Sequence, residues 1–104
     1  MPRAPLEIRK TPAAEQDLVD IWLYTAREWG ADQADLYLDN LDGAMARLRD
    51  HPGIGADVTE IRAGYRRLGA GLHRLYYRVG DDAIEIVRIL QVSRDATAQL
   101  DPDG

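Results

Sequence analysis

Seven arginines fall between residues 60 and 94: Arg62, Arg66, Arg67, Arg74, Arg78, Arg88 and Arg94. Tyrosines stand among them, in GYRRL (64–68) and HRLYYRVG (73–80). A guanidinium is a rigid fork of N–H donors suited to carboxylate and phosphate. The cluster therefore suits one of two tasks, steadying a phosphate during its chemistry or holding an acidic partner. The first task also needs a group that moves protons, and such groups are scarce. Lys10 is the sole lysine, and the two histidines are His51, before a proline and a turn, and His73, at the start of an expected strand. They are too far apart to suggest a metal site. Asp17, Asp20, Asp32, Asp35, Asp39 and Asp42 are expected on the outer faces of helices, solvated, where nothing shifts a carboxyl toward acid or base work.

The formal net charge is −5, which disfavours general nucleic-acid binding. That charge is unevenly spread: residues 13–50 hold nine Asp/Glu against three Arg, whereas residues 60–94 hold seven Arg against four Asp/Glu. An acidic first half thus precedes a basic second half. With no cysteine there is no disulfide framework, thiolate nucleophile or zinc–thiolate site. Gly64, Gly69 and Gly71 separate strands and precede no helix, so no phosphate-binding loop and no cofactor is expected. The start, MPRAPLEIRK, has no apolar signal core, and no run approaches membrane-spanning length. Retention in the cytoplasm is the expectation. A length of 104 residues suits a single domain over 1–104 with a modest core.

The positioning elements follow from periodicity. LEIRK (6–10) alternates as a short strand, and Thr11–Pro12 reads as a helix cap with proline at the first helical position. A first helix then places Ala14, Leu18, Ile21, Trp22, Thr25 and Trp29 on one face and stops at Gly30. A second repeats Ala34, Leu38, Leu41, Met45 and Leu48 and ends at HPGIG (51–55). The joint is so short that the two must fold back as a hairpin, packed by Tyr37, Trp22 and Trp29. Gly43 inside the second helix suggests close packing there. Three strands follow, in EIRAGYRRLGAG, LHRLYYRVG and AIEIVRILQV.

A turn at Asp81–Asp82 opposes Val79 to Ile84, Arg78 to Glu85, Tyr77 to Ile86 and Tyr76 to Val87. One sheet face then carries Leu75, Tyr77, Val79, Ile84 and Ile86, under the helices. The other carries Arg74, Tyr76, Arg78, Glu85, Val87 and Ile89, with nothing in the chain to cover it. Arg88 points to the helix side, where a lone charge is costly. Helix one has a second apolar line, Val19, Leu23 and Ala26, off its core face. The fold class is α+β: an N-terminal strand and an antiparallel helix hairpin laid on a small, mainly antiparallel sheet, with AIEIVRIL central beside LEIRK.

In order and spacing, DLVDIWLYTAREWG, DQADLYLDNL, HPGIG, IRAGYRRL, HRLYYRVG and IEIVRIL followed by SRD resemble the ParE branch of the RelE/ParE toxin superfamily. The resemblance runs from about Leu6 to Leu100. It implies the toxin half of a bacterial type II toxin–antitoxin operon, acting on DNA gyrase to block replication rather than as an enzyme. RelE-like relatives instead cleave mRNA on the ribosome using several basic residues and a C-terminal Tyr or His. Here RILQVSRD has Gln91 where many ParE relatives carry histidine, so no base accompanies Arg88 and Arg94. A third alternative is an interaction module without toxicity. The resemblance further implies a ParD-like ribbon-helix-helix antitoxin, forming a hetero-oligomer such as a heterotetramer, whose acidic, amphipathic tail wraps the toxin. Expected antitoxin-binding residues are Val19, Leu23, Arg66, Arg67, Arg74, Tyr76, Arg78, Val87 and Ile89. Expected target-binding residues are Arg62, Arg88 and Arg94.

Overall fold

The computed structural model describes residues 6–93 and Leu100. Its elements run β1 (Glu7–Lys10), α1 (Pro12–Trp29), α2 (Ala31–Asp50), β2 (Ala56–Asp57), β3 (Tyr65–Ala70), β4 (His73–Val79) and β5 (Ala83–Gln91). The sheet order is β1-β5-β4-β3-β2. β1 lies parallel to β5, and the remaining pairs are antiparallel. The expected α+β class and the central place of β5 both hold.

Both ends of α1 form as their residues dictate. Thr11 Oγ1 accepts the Ala14 N–H at 3.0 Å, with Pro12 at the first helical position. Gly30, at φ 94°, reverses the chain into α2, a backbone conformation that glycine reaches without a Cβ penalty. Ala14 and Ile21 of α1 and Leu41, Ala44, Met45 and Leu48 of α2 meet Leu75, Tyr77, Ile84, Ile86 and Ile89 of the sheet in the main core. Trp22 joins the helices by donating its indole N–H to Asp35 at 2.8 Å. Trp29, expected in the same contact, is instead 74% exposed. Gly43 is off the buried stripe, and a Cβ there would meet nothing within 4 Å, so the expected close packing is absent.

The glycine that packing does demand is Gly55. Its N–H donates to the Tyr77 hydroxyl at 2.9 Å, and that hydroxyl donates to the Pro52 carbonyl at 2.8 Å. A Cβ on Gly55 would lie 2.5 Å from the Tyr77 oxygen and 2.7 Å from the Arg67 carbonyl. Tyr77 is fully buried and cannot retreat. Gly55→Ala is expected to destabilise by about 2 kcal/mol, in the range for overpacking, readable as a lower urea midpoint.

The sheet departs from the expected register at one place. Val79, Arg78 and Tyr77 oppose Ile84, Glu85 and Ile86 as the Asp81–Asp82 turn requires, but Tyr76 then opposes Arg88 rather than Val87. Val87 is the extra residue of a β-bulge. The freed backbone groups are taken up by α1 and its cap. Thr11 Oγ1 donates to the Val87 carbonyl at 2.7 Å, and Asp17 accepts the Ile89 N–H at 2.9 Å. The bulge shifts alternation downstream, so Ile89 turns into the main core. Val79, expected under the helices, is exposed at the end of β4.

The second sheet face is also covered. Tyr65, Tyr76 and Leu90 form a smaller core with Val58 and Leu100, flanked by Ile61 and Val87. The expected strand from Glu60 therefore begins only at Tyr65, and residues 60–64 belong to a turn closed by Ile61 and Arg62 N–H bonds to the Val58 carbonyl. Asp57 starts that turn by accepting both the backbone N–H and the hydroxyl of Thr59. The Thr59 hydroxyl bond is the main cause holding the Asp57 carboxyl below its usual range.

Candidate interaction surfaces

Strand alternation sorts the arginines. Arg67 opposes Tyr76, Arg74 opposes Leu90, and Arg78 opposes Tyr65 and Glu85, which puts all three on the second face with Val87. Arg62 stacks over Tyr65 at 5.6 Å to the ring centre, extending the same surface. Arg66, one residue from Arg67, opposes Tyr77 on the helix-side face. Its guanidinium donates to the Gly55 and Gly53 carbonyls at 3.1 and 3.2 Å, fastening the loop after α2. Arg78 pairs with Glu85 at 2.7 Å. Arg67 and Arg74, half-buried, make no ion pair among the described residues. Arg94 lies outside them.

Two corrections concern the expected binding residues. Tyr76 is buried at 1% exposure beneath Val58 and Leu100 rather than open between arginines. Ile89 is on the opposite face, turned there by the bulge. Val19 and Leu23 are each 51% exposed, as expected of an apolar line off the core. They stand on α1, which packs on the other side of the sheet from the arginine face. The expected residues thus fall on two surfaces, with the sheet between them. Replacing both Val19 and Leu23 by serine is expected to change stability by less than about 0.5 kcal/mol, as for other surface positions. It should raise the solubility of the free protein, measured as the concentration remaining in solution after centrifugation.

Arg88 has a partner that the sequence reading assigned to the surface. Asp17 is buried, and its Oδ2 and Oδ1 accept from Arg88 Nε and Nη2 at 2.8 and 2.9 Å. The two side chains are 20% and 11% exposed for Arg88 and Asp17 respectively. This bidentate contact, against some opposing desolvation, holds the guanidinium more firmly protonated. The signal was present: positions 14, 17 and 21 follow helical spacing, and an arginine expected toward the helices needs a counter-charge. A guanidinium clamped in this way does not present its bidentate edge to a phosphate.

His73 is buried where β4 begins. The Tyr37 hydroxyl accepts the Leu72 N–H at 3.0 Å and lies 2.6 Å from His73 Nδ1. The same hydroxyl also reaches the Ala70 carbonyl at 3.5 Å, so Tyr37 ties the start of β4 to α2 through three groups. Burial pushes the His73 pKa down, opposed by the charge of Asp17. Folding therefore favours neutral His73. The stability it contributes is complete above the ordinary histidine pKa near 6.5 and is lost as pH falls toward the lower folded value. The urea midpoint is expected to fall between pH 7.5 and 5.5, and His73→Gln to flatten that slope.

The comparisons with known proteins agree with this architecture. The profile of the ParE toxin of the type II toxin-antitoxin system, parDE, matches residues 8–96. Toxin ParE1 of Mycobacterium tuberculosis is 45% identical over 91 residues, covering 86% of this chain and 93% of its own. Toxin ParE1 of Caulobacter vibrioides is 41% identical over 92 residues, covering 88% and 95%. A solved chain from the chromosomal ParDE TA system of P. aeruginosa superposes with a TM-score of 0.75 at 22% identity. That match covers 85% of this chain and 97% of the other, and it shows the shared fold. With a family profile across nearly its whole length and relatives above 40% identity, this chain belongs to the ParE toxin family of type II toxin–antitoxin systems.

Proposed function

We propose that this chain inhibits DNA gyrase, without catalysis of its own, and is neutralised by a ParD-like antitoxin. The observation that carries the choice over an mRNA endonuclease is the Asp17–Arg88 pair. Phosphoryl chemistry on a fold of this kind needs an unengaged cation beside a group that moves protons. Here the arginine of strand β5 is clamped by a carboxylate. His73 is buried, with its pKa pushed down by that burial and Nδ1 hydrogen-bonded to Tyr37. The arginine face offers Arg67 and Arg74 to carboxylates and suits the acidic tail of an antitoxin. Covering Val19 and Leu23 on α1 is a second role for the same partner, which would stabilise the toxin by mass action.

Induced expression separates the readings. Labelled thymidine incorporation should stop before labelled methionine incorporation does, and co-expression of the antitoxin encoded beside this chain should restore both. Early loss of translation with cleaved mRNA would favour the endonuclease instead.

A further inference from the structure

A trough runs along the side of α1 that faces the β3–β4 turn and the end of β5. Its wider part, about 370 Å³, is walled by Tyr24, Trp29 and Leu72 over a floor that includes His73 and Gln91. Its narrower part, about 220 Å³, shares Tyr24, Thr25, His73 and Gln91 and reaches Asp17 and Asp20. The walls are large apolar groups left in water: Trp29 and Leu72 are each 74% exposed and Tyr24 is 55% exposed. Three such residues around one depression form a patch, not scattered surface hydrophobes.

The patch is held rigidly open. Gly71, at φ 60°, turns the chain where a Cβ would strike the Tyr37 hydroxyl at 2.8 Å. Leu72 then donates its N–H to that hydroxyl and accepts the Val92 N–H at 3.0 Å. With both backbone groups engaged, the backbone that presents the Leu72 side chain is already ordered before binding.

Charge says what fits. Among the described residues the wide end is lined by no Asp, Glu, Lys or Arg, and neither part of the trough by a lysine or arginine. At the narrow end Asp17 is satisfied by Arg88 and Ile89, which leaves exposed Asp20, bonded at one oxygen by Gln16, as the available charge. An acidic segment would be repelled here, whereas the arginine face attracts one.

We infer that the trough seats a segment of the antitoxin chemically opposite to its acidic tail: a bulky apolar side chain between Trp29 and Leu72, followed by a lysine or arginine at Asp20. This rests on the antitoxin reading above. The partner then carries two unlike segments, one for each face of the toxin.

Calorimetric titration of the adjacent antitoxin into Leu72→Ser, Asp20→Lys and Arg67→Glu/Arg74→Glu toxins tests this, since Leu72 and Asp20 are exposed and their substitution spares the fold. Leu72→Ser and Asp20→Lys should each weaken binding at least tenfold. Unchanged affinity for both, with the arginine variant weakened, overturns the trough and leaves the proposed function standing. Tighter binding by Asp20→Lys overturns the basic end of the segment. A shift of the free toxin from dimer to monomer on Leu72→Ser, seen by sedimentation, assigns the trough to a second copy instead. Wild-type toxin that fails to bind the antitoxin overturns both readings together.

Discussion

Asp17→Ala is expected to destabilise the protein by about 3 kcal/mol, at the lower end of the cost of breaking a buried ion pair. The side chain serves two masters. It neutralises Arg88 through both oxygens, and it accepts the Ile89 N–H where the bulge leaves the ladder broken. Alanine removes the carboxylate counter-charge of a guanidinium that is four-fifths shielded from water and orphans a buried amide. At roughly 4–8 °C per kcal/mol for a domain of this size, the melting temperature should fall by more than 10 °C. Asp17→Leu combined with Arg88→Met should recover the share of that loss owed to the missing counter-charge, while the share owed to the orphaned Ile89 N–H remains. A single mutant within 1 kcal/mol of the parent would show that the contact is not formed in solution.

The second large effect concerns the partner. Arg67→Glu combined with Arg74→Glu is expected to weaken antitoxin binding roughly 100-fold. Charge-assisted contacts are worth about 1.5–3 kcal/mol each when desolvated, and 1.4 kcal/mol is a factor of ten. Arg78→Glu should do less, since Arg78 already spends its charge on Glu85 in an exposed pair of little net worth. An affinity within threefold of the parent for the Arg67/Arg74 variant, with unchanged circular dichroism, would remove the arginine face from the interface.

What the sequence made legible and what it hid divide along the range of the interactions. Local signals succeeded: the Thr11–Pro12 cap, the Gly30 reversal, the buried stripe of α2 and the Asp81–Asp82 turn each depend on residues a few positions apart. Register followed from that turn as far as Tyr77 and failed one residue later. The bulge at Val87 is held by Thr11 and Asp17, 76 and 72 residues away along the chain from the groups they bind. No periodicity in IEIVRIL reveals that. From the failure of register came the misplacement of Ile89. The misreading of Tyr76 had another source, since Val58, Ile61 and Leu100 come from outside the strands to cover it.

The candidate surface was legible in composition but not in geometry. Arg66 and Arg67 are adjacent in the sequence and lie on opposite faces, one fastening a loop and the other facing outward. The trough went unseen because Trp29, Leu72 and His73 are brought together only when the helix hairpin meets the β3–β4 turn. Trp29 was expected to pack between helices, and His73 had no partner in the sequence until Tyr37 reached it. Family resemblance supplied the type of system, while the division of labour among its residues required the packed structure.

The proposed action of this ParE family member is on gyrase and not on RNA. Its most direct test is a supercoiling assay with purified gyrase, relaxed plasmid and ATP, run with the toxin alone and with the toxin preincubated with its antitoxin. Supercoiling is expected to stop with toxin and to resume with the complex, and folded Arg88→Ala toxin is expected to inhibit in the same way. Undiminished supercoiling at toxin in large excess, alongside cutting of mRNA on translating ribosomes by the same preparation, would contradict the proposed action.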